Sequence, residues 1–148
     1  MAATIMTTID INADPEAVWE VLTDFAAYGD WNPFMDRIEG RPEVGTKLVV
    51  HLSPEGGRGM TFRPTVLAAA PGRELRWLGK LGLRGLFAGE HSFLLTRNAD
   101  GTTRLTHAER FSGILVAPFK GMVENSHAGF EAFNTALKQR VETAALAP

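Results

Sequence analysis

Tyr28-Gly-Asp-Trp-Asn-Pro-Phe-Met35 decides the reading of this chain because of what stands on either side of it. Before it, residues 4–11 alternate apolar and polar side chains, with Ile5, Ile9 and Ile11 prominent, which predicts a strand. Asn12-Ala-Asp-Pro-Glu16 then starts a short amphipathic helix. Asp14 suits the N-cap, Pro15 the first helical position, and Val18, Trp19, Val21 and Leu22 supply a buried stripe. After it come closely spaced strand-like segments at 36–39, 46–53, 60–69, 73–81, 87–97 and 102–112, parted by Gly, Pro, Asn and Asp turns. Trp31, Phe34 and Met35 carry more apolar area than a surface loop needs. The Pro-broken loop is therefore expected to turn them inward as the wall or lid of a cavity, with ordinary loop packing as the alternative.

Short connections between these strands predict an antiparallel meander, and Asn98-Ala-Asp-Gly101 is its clearest hairpin signal. The last third changes period. Phe119, Met122, Val123, Ser126, Phe130, Phe133, Leu137 and Val141 recur at three and four, the spacing of one face of a long C-terminal helix. Pro118 is tolerable near its start, and Gly121 and Gly129 leave room for a kink or a separate first turn. A strongly twisted antiparallel sheet cannot touch a straight helix along its whole length, so a gap is expected between them. Phe119, Met122, Val123, Ser126 and Phe130 should overlook that gap, while Phe133, Leu137 and Val141 close the other end.

With 148 residues, 45% hydrophobic and 22% charged, the chain has the make-up of one domain over 1–148 with a full core. It contains no Cys, so disulfides, thiolate metal sites and a Cys nucleophile are excluded, and a cytoplasmic location is the default. The N-terminus has no basic segment followed by an apolar run, and no apolar stretch approaches the roughly 20 residues that span a bilayer, so stable membrane insertion is not expected. The net charge is −2 and the bases of the central third are scattered singly, which describes solvated strand faces rather than a nucleic-acid stripe. Oligomeric state is left open.

Alternation along the strands puts Leu75 and Trp77, Phe93 and Leu95, and Leu105 and Phe111 on one inner face. Extending the parity places His91, His107 and Glu109 there too. With the turn at 98–101, Leu95 should pair with Leu105, Phe93 with His107 and His91 with Glu109, the last two facing each other at roughly 5 Å between Cβ atoms. Such a pair can orient a ligand hydroxyl or carbonyl in an apolar chamber, or be a satisfied structural pair, and a register slipped by one residue would instead leave both solvated. Leu81-Gly-Leu-Arg-Gly-Leu-Phe87 reads either as a flap at the cavity mouth or as a hairpin with buried leucines.

Several familiar patterns fail. Glu124 and His127 stand at i and i+3, but the partner helix of a di-iron bundle is missing, and the histidines lack the close pair of a zinc-protease helix, so no metal is expected. Gly56-Gly-Arg-Gly59 and Gly79-Lys-Leu-Gly-Leu-Arg-Gly85 lack the Lys-Ser/Thr ending of a phosphate loop and read as turns. There is no Gly-x-Ser-x-Gly elbow and no candidate acyl-enzyme nucleophile. No cofactor is implied.

Asp14-Pro-Glu-Ala-Val-Trp19, Asp30-Trp-Asn-Pro-Phe34, Pro71-Gly-Arg-Glu-Leu-Arg-Trp77 and Gly101-Thr-Thr-Arg-Leu-Thr-His107, in this order and at this length, resemble the START-like helix-grip superfamily. The branch that the chain is most similar to is the SRPBCC group of polyketide cyclase/dehydrase-like proteins. The resemblance runs from Thr8 to about Val141 and implies an α+β fold. A curved antiparallel sheet of about seven strands would wrap a long C-terminal helix, with two short helices after the first strand and an internal apolar cavity. It implies binding or sequestration of a small hydrophobic or amphipathic molecule, such as a lipid, a sterol or a polyketide-like compound. The alternatives are a cyclase or dehydratase using Glu109, His91 or His107 as general acid or base, and a partner-binding module related to chaperone activators. The expected ligand-binding set is Trp31, Phe34, Met35, Trp77, Phe87, His91, Phe93, His107, Glu109, Phe111, Phe119, Met122, Val123, Ser126 and Phe130.

Overall fold

The computed structural model describes residues 2–54, 58–81 and 85–146. The chain begins with strand β1 (Ala2–Ile11) and helix α1 (Pro15–Thr23), whose N-cap Asp14 accepts a hydrogen bond from the Ala17 amide. A 3-10 turn (Phe25–Ala27) leads into a second short helix, α2 (Tyr28–Trp31). The first half of the aromatic segment is therefore a helical turn, not a loop. Tyr28 explains the difference: its ring is fully buried and its hydroxyl donates to the Leu22 carbonyl, which pins the turn against the end of α1.

Next come β2 (Arg37–Glu39), β3 (Val49–Leu52), β4 (Met60–Phe62), β5 (Thr65–Ala70), β6 (Glu74–Leu81), β7 (Phe87–Arg97) and β8 (Thr103–Ser112), and the long helix α3 (Lys120–Leu146) closes the order. The strand expected over 60–69 is two strands. Pro64 has no N–H to donate to a ladder and restricts Arg63 before it, so the chain changes partners there. β4 joins a three-stranded ladder in the order β2-β3-β4, whereas β5 is the edge of a five-stranded ladder in the order β1-β8-β7-β6-β5. All pairings are antiparallel, and a bridge from Lys47 to Thr65 links the two ladders. α3 is one helix without a separate first turn; a run of turns after β8 delivers the chain to it.

The β7–β8 hairpin has the register its residues predict, with Leu95 opposite Leu105, Phe93 opposite His107 and His91 opposite Glu109. Extended across the sheet, two inward rows result. One reads Thr7, His107, Phe93 and Leu75, and its neighbour reads Ile5, Glu109, His91 and Trp77. α3 packs on β1 and α1 over the first of these rows. There Phe130, Phe133, Leu137 and Val141 are buried together with Ile11, Leu22, Tyr28 and Leu105. This is the sealed half of the molecule.

Candidate functional site

Between the other half of the sheet and the N-terminal part of α3 lies a cavity of about 350 Å³. Asn32 builds one side of it. Its buried Oδ1 accepts hydrogen bonds from the Phe34 and Met35 amides at 3.0 and 2.9 Å, and this turn carries both side chains inward. The side chain's Nδ2, also buried, has no acceptor among the described residues. Gly129 lets Phe34 lie directly on α3: a Cβ there would stand 2.3 Å from the Phe34 ring.

Of the residues expected to face a ligand, Phe34, Met35, Trp77, Phe87, His91, Glu109, Phe111, Met122 and Ser126 line this cavity. Six do not. Trp31 packs on Tyr28 and Phe133, with ring centroids 5.0 and 5.9 Å away, because the α2 turn aims it at the sealed half. Phe93 and Phe130 sandwich His107, at 4.5 and 4.2 Å between ring centroids, one row deeper than the cavity wall. Val123 is buried in the core, and Phe119 stands edge-on behind Phe87 at 5.5 Å. His107 itself is fully buried, and its counterpart on the wall is His91. Of the segment 81–87, residues 82–84 lie outside the described residues, as do 56 and 57 of the Gly56–Gly59 turn.

Val50, Leu52, Pro54, Met60, Phe62 and Pro64 add to the apolar lining, with Asn125 on the helix side and the exposed Arg58, Lys80 and Leu81 at the rim. The strand residues among these follow from the three-stranded ladder folding over the sheet's open end, which alternation along single strands does not report. Gly79 and Gly89, paired across β6 and β7, form a flat patch of wall. Glu109 uses that patch: a Cβ on Gly89 would lie 2.4 Å from Glu109 Oε2.

The polar end of the cavity is a cluster on the two inward rows. Glu109 Oε1 lies 3.4 Å from His91 Nδ1. On its other side His91 Nε2 approaches His107 Nε2 at 2.6 Å, and His107 Nδ1 bonds to Asn134 Oδ1 at 2.7 Å. Burial, reinforced by the neighbouring His91, holds the His107 imidazolium well below the usual histidine range, so this ring is neutral. Asn134 was not singled out from the sequence, yet its spacing from Phe130 and Leu137 put it on the apolar stripe of α3, where an amide requires partners. Among the described residues no group of three His, Cys, Asp or Glu is arranged to hold a metal ion.

Fold and cavity together define a START-like helix-grip protein. The description "Polyketide cyclase / dehydrase and lipid transport" matches residues 2–142, and the chain belongs to that family. Among solved structures it is similar to the Zhui aromatase/cyclase from Streptomyces sp. R1128, at 19% identity and a TM-score of 0.76 over 99% of this chain and 98% of that one. A START superfamily protein from Mycobacterium smegmatis matches at 21% identity and a TM-score of 0.75, covering 95% of this chain and 98% of its own. Norcoclaurine synthase from Thalictrum flavum, in complex with dopamine and hydroxybenzaldehyde, matches at 12% identity and 0.74, over 97% and 88%. No curated protein matches the chain. At these identities the structural likenesses speak for the fold alone.

Proposed function

We propose that the protein binds a small hydrophobic or amphipathic molecule in this cavity, with Trp77, Phe111, Phe34 and Met122 supplying the apolar contact and His91 and Glu109 its orientation. The observation that carries this reading is the chamber itself, about 350 Å³ of mostly apolar wall with one acid–imidazole pair inside it. Apolar burial at about 25 cal/mol per Å² provides the affinity, and the single polar end supplies a direction. Trp77 reports on it. Titration with lipids, sterols, flavonoids and polyketide-like aromatics should change Trp77 emission in a Trp19→Phe, Trp31→Phe background. An unchanged spectrum across the panel, together with no small molecule extracted from freshly purified protein, would end this reading.

A catalytic reading has one observation in its favour: the Glu109 carboxylate lines the cavity beside an imidazole, as a base abstracting a proton next to a carbonyl requires. A cyclase or dehydratase would lose turnover in Glu109→Gln while keeping substrate affinity. Equal loss of both favours binding alone.

A further inference from the structure

The cavity wall at Glu109 is backed by a continuous line of polar contacts that runs into the sealed core, and its hydrogens can be assigned from the buried end. Thr7 has one hydroxyl hydrogen, and it goes to the His107 carbonyl at 3.0 Å. Thr7 Oγ1 is then the acceptor for Asn134 Nδ2 at 2.8 Å, which fixes the amide with Oδ1 toward His107. His107 must therefore carry its hydrogen on Nδ1. The ring is neutral, so its Nε2 is a bare lone pair, and His91 Nε2, 2.6 Å away, must be the donor. His91 Nδ1 is left facing Glu109 Oε1 at 3.4 Å. Two lone pairs there would repel, which favours a hydrogen on one of the two atoms; at 3.4 Å the contact is an ion-pair distance rather than a hydrogen bond.

The second oxygen of Glu109 is free for something else. Oε2 lies over Gly89, on the cavity wall, and has no donor among the described residues. Trp77 on β6 and Phe130 on α3 pack on His91, with ring centroids 5.2 and 5.0 Å away; Asn125 and Ser126 on α3 line the same cavity, and the charged Arg58 and Lys80 are at the rim. The aromatic lining of Trp77, Phe87 and Phe111 suits a flat ring.

We propose that Thr7, Asn134 and His107 are positioning residues that fix the tautomer of His91, so that His91 and Glu109 hold one proton between them and Glu109 Oε2 accepts a hydrogen bond from a hydroxyl-bearing aromatic ligand. The ligand half rests on the binding reading above; the tautomer half does not. A hydroxyl is the fitting group because the pair is already charge-balanced and offers an acceptor, whereas a ligand carboxylate would meet a carboxylate oxygen.

Correlation spectra of the imidazole ring nitrogens in the ¹⁵N-labelled protein at neutral pH test the tautomer chain. The expected pattern is His107 protonated on Nδ1 alone and His91 protonated on Nε2. His107 protonated on Nε2 overturns the chain. Asn134→Leu should move the His107 hydrogen to Nε2 and that of His91 to Nδ1; an unchanged pattern in Asn134→Leu removes the positioning role. For the ligand half, 2-naphthol should bind about tenfold more tightly than 2-methoxynaphthalene, and the preference should vanish in Glu109→Leu. Equal affinities in the unmodified protein overturn the acceptor assignment. If neither probe binds, the acceptor role falls together with the binding reading, and the ring-nitrogen pattern still decides the tautomer chain.

Discussion

One helix and one sheet make two unlike regions. Where Phe130, Phe133, Leu137 and Val141 of α3 meet β1 and α1, these four side chains are buried, and Phe130 stacks face to face on His107 while Phe133 lies tilted against it. Nearer the N-terminus of α3, Met122 and Ser126 look across open space at Trp77 and Phe111. The helix is continuous through both, so the difference comes from side-chain volume and from how far the sheet has curved away, not from a break in the backbone. Packing in such a fold is allocated unevenly: dense at one end to hold it together, sparse at the other to leave room.

The largest effect should come from emptying the dense end. Phe133→Ala is expected to cost about 3–5 kcal/mol in urea unfolding, because the rings around it cannot collapse into the space. Met122→Ala, which only enlarges an existing void, should cost about 1 kcal/mol or less; equal losses would dissolve the distinction between the two regions.

A pH series probes the same contrast through His107. Its folded pKa is depressed below the ordinary value of 6.5, so at lower pH the unfolded chain binds a proton that the native fold refuses. The contribution is complete above about pH 6.5 and is lost as pH falls toward the depressed folded pKa. Thermal melts between pH 7 and 5 should show this slope, and His107→Gln should flatten it.

The smallest effect on stability should come from filling the sparse end. Ser126→Leu places a larger side chain into the cavity and is expected to shift stability by about 1 kcal/mol or less while abolishing binding of 2-naphthol. Retained binding would mean that the ligand sits elsewhere.

Much of this architecture was readable in the residues. The Asp14-Pro15 helix start, the β7–β8 register and the stripe from Phe119 to Val141 depend on local chemistry and fixed periods, which a sequence displays. The site was readable on the β6, β7 and β8 faces, where alternation decides orientation, and in part on the aromatic segment and α3, through Phe34, Met35, Met122 and Ser126. Trp31 went astray because its direction is set by the α2 turn around the buried Tyr28, and His107 because the depth of a row beneath a helix depends on where the helix crosses the sheet. Asn125 and Arg58 carried no pattern at all: they face the chamber only through the placement of α3 and of the β3–β4 hairpin.

The change of partners at Pro64 has a consequence for how such a protein diversifies. One wall of the cavity belongs to a panel, β2-β3-β4, that joins the five-stranded ladder through its β5 edge. Alterations in Leu52, Met60 or Phe62, which are only partly buried, can therefore reshape the cavity while the register of β1, β8, β7 and β6 stays in place. The shape of the hollow and the integrity of the frame are thereby set by largely different residues.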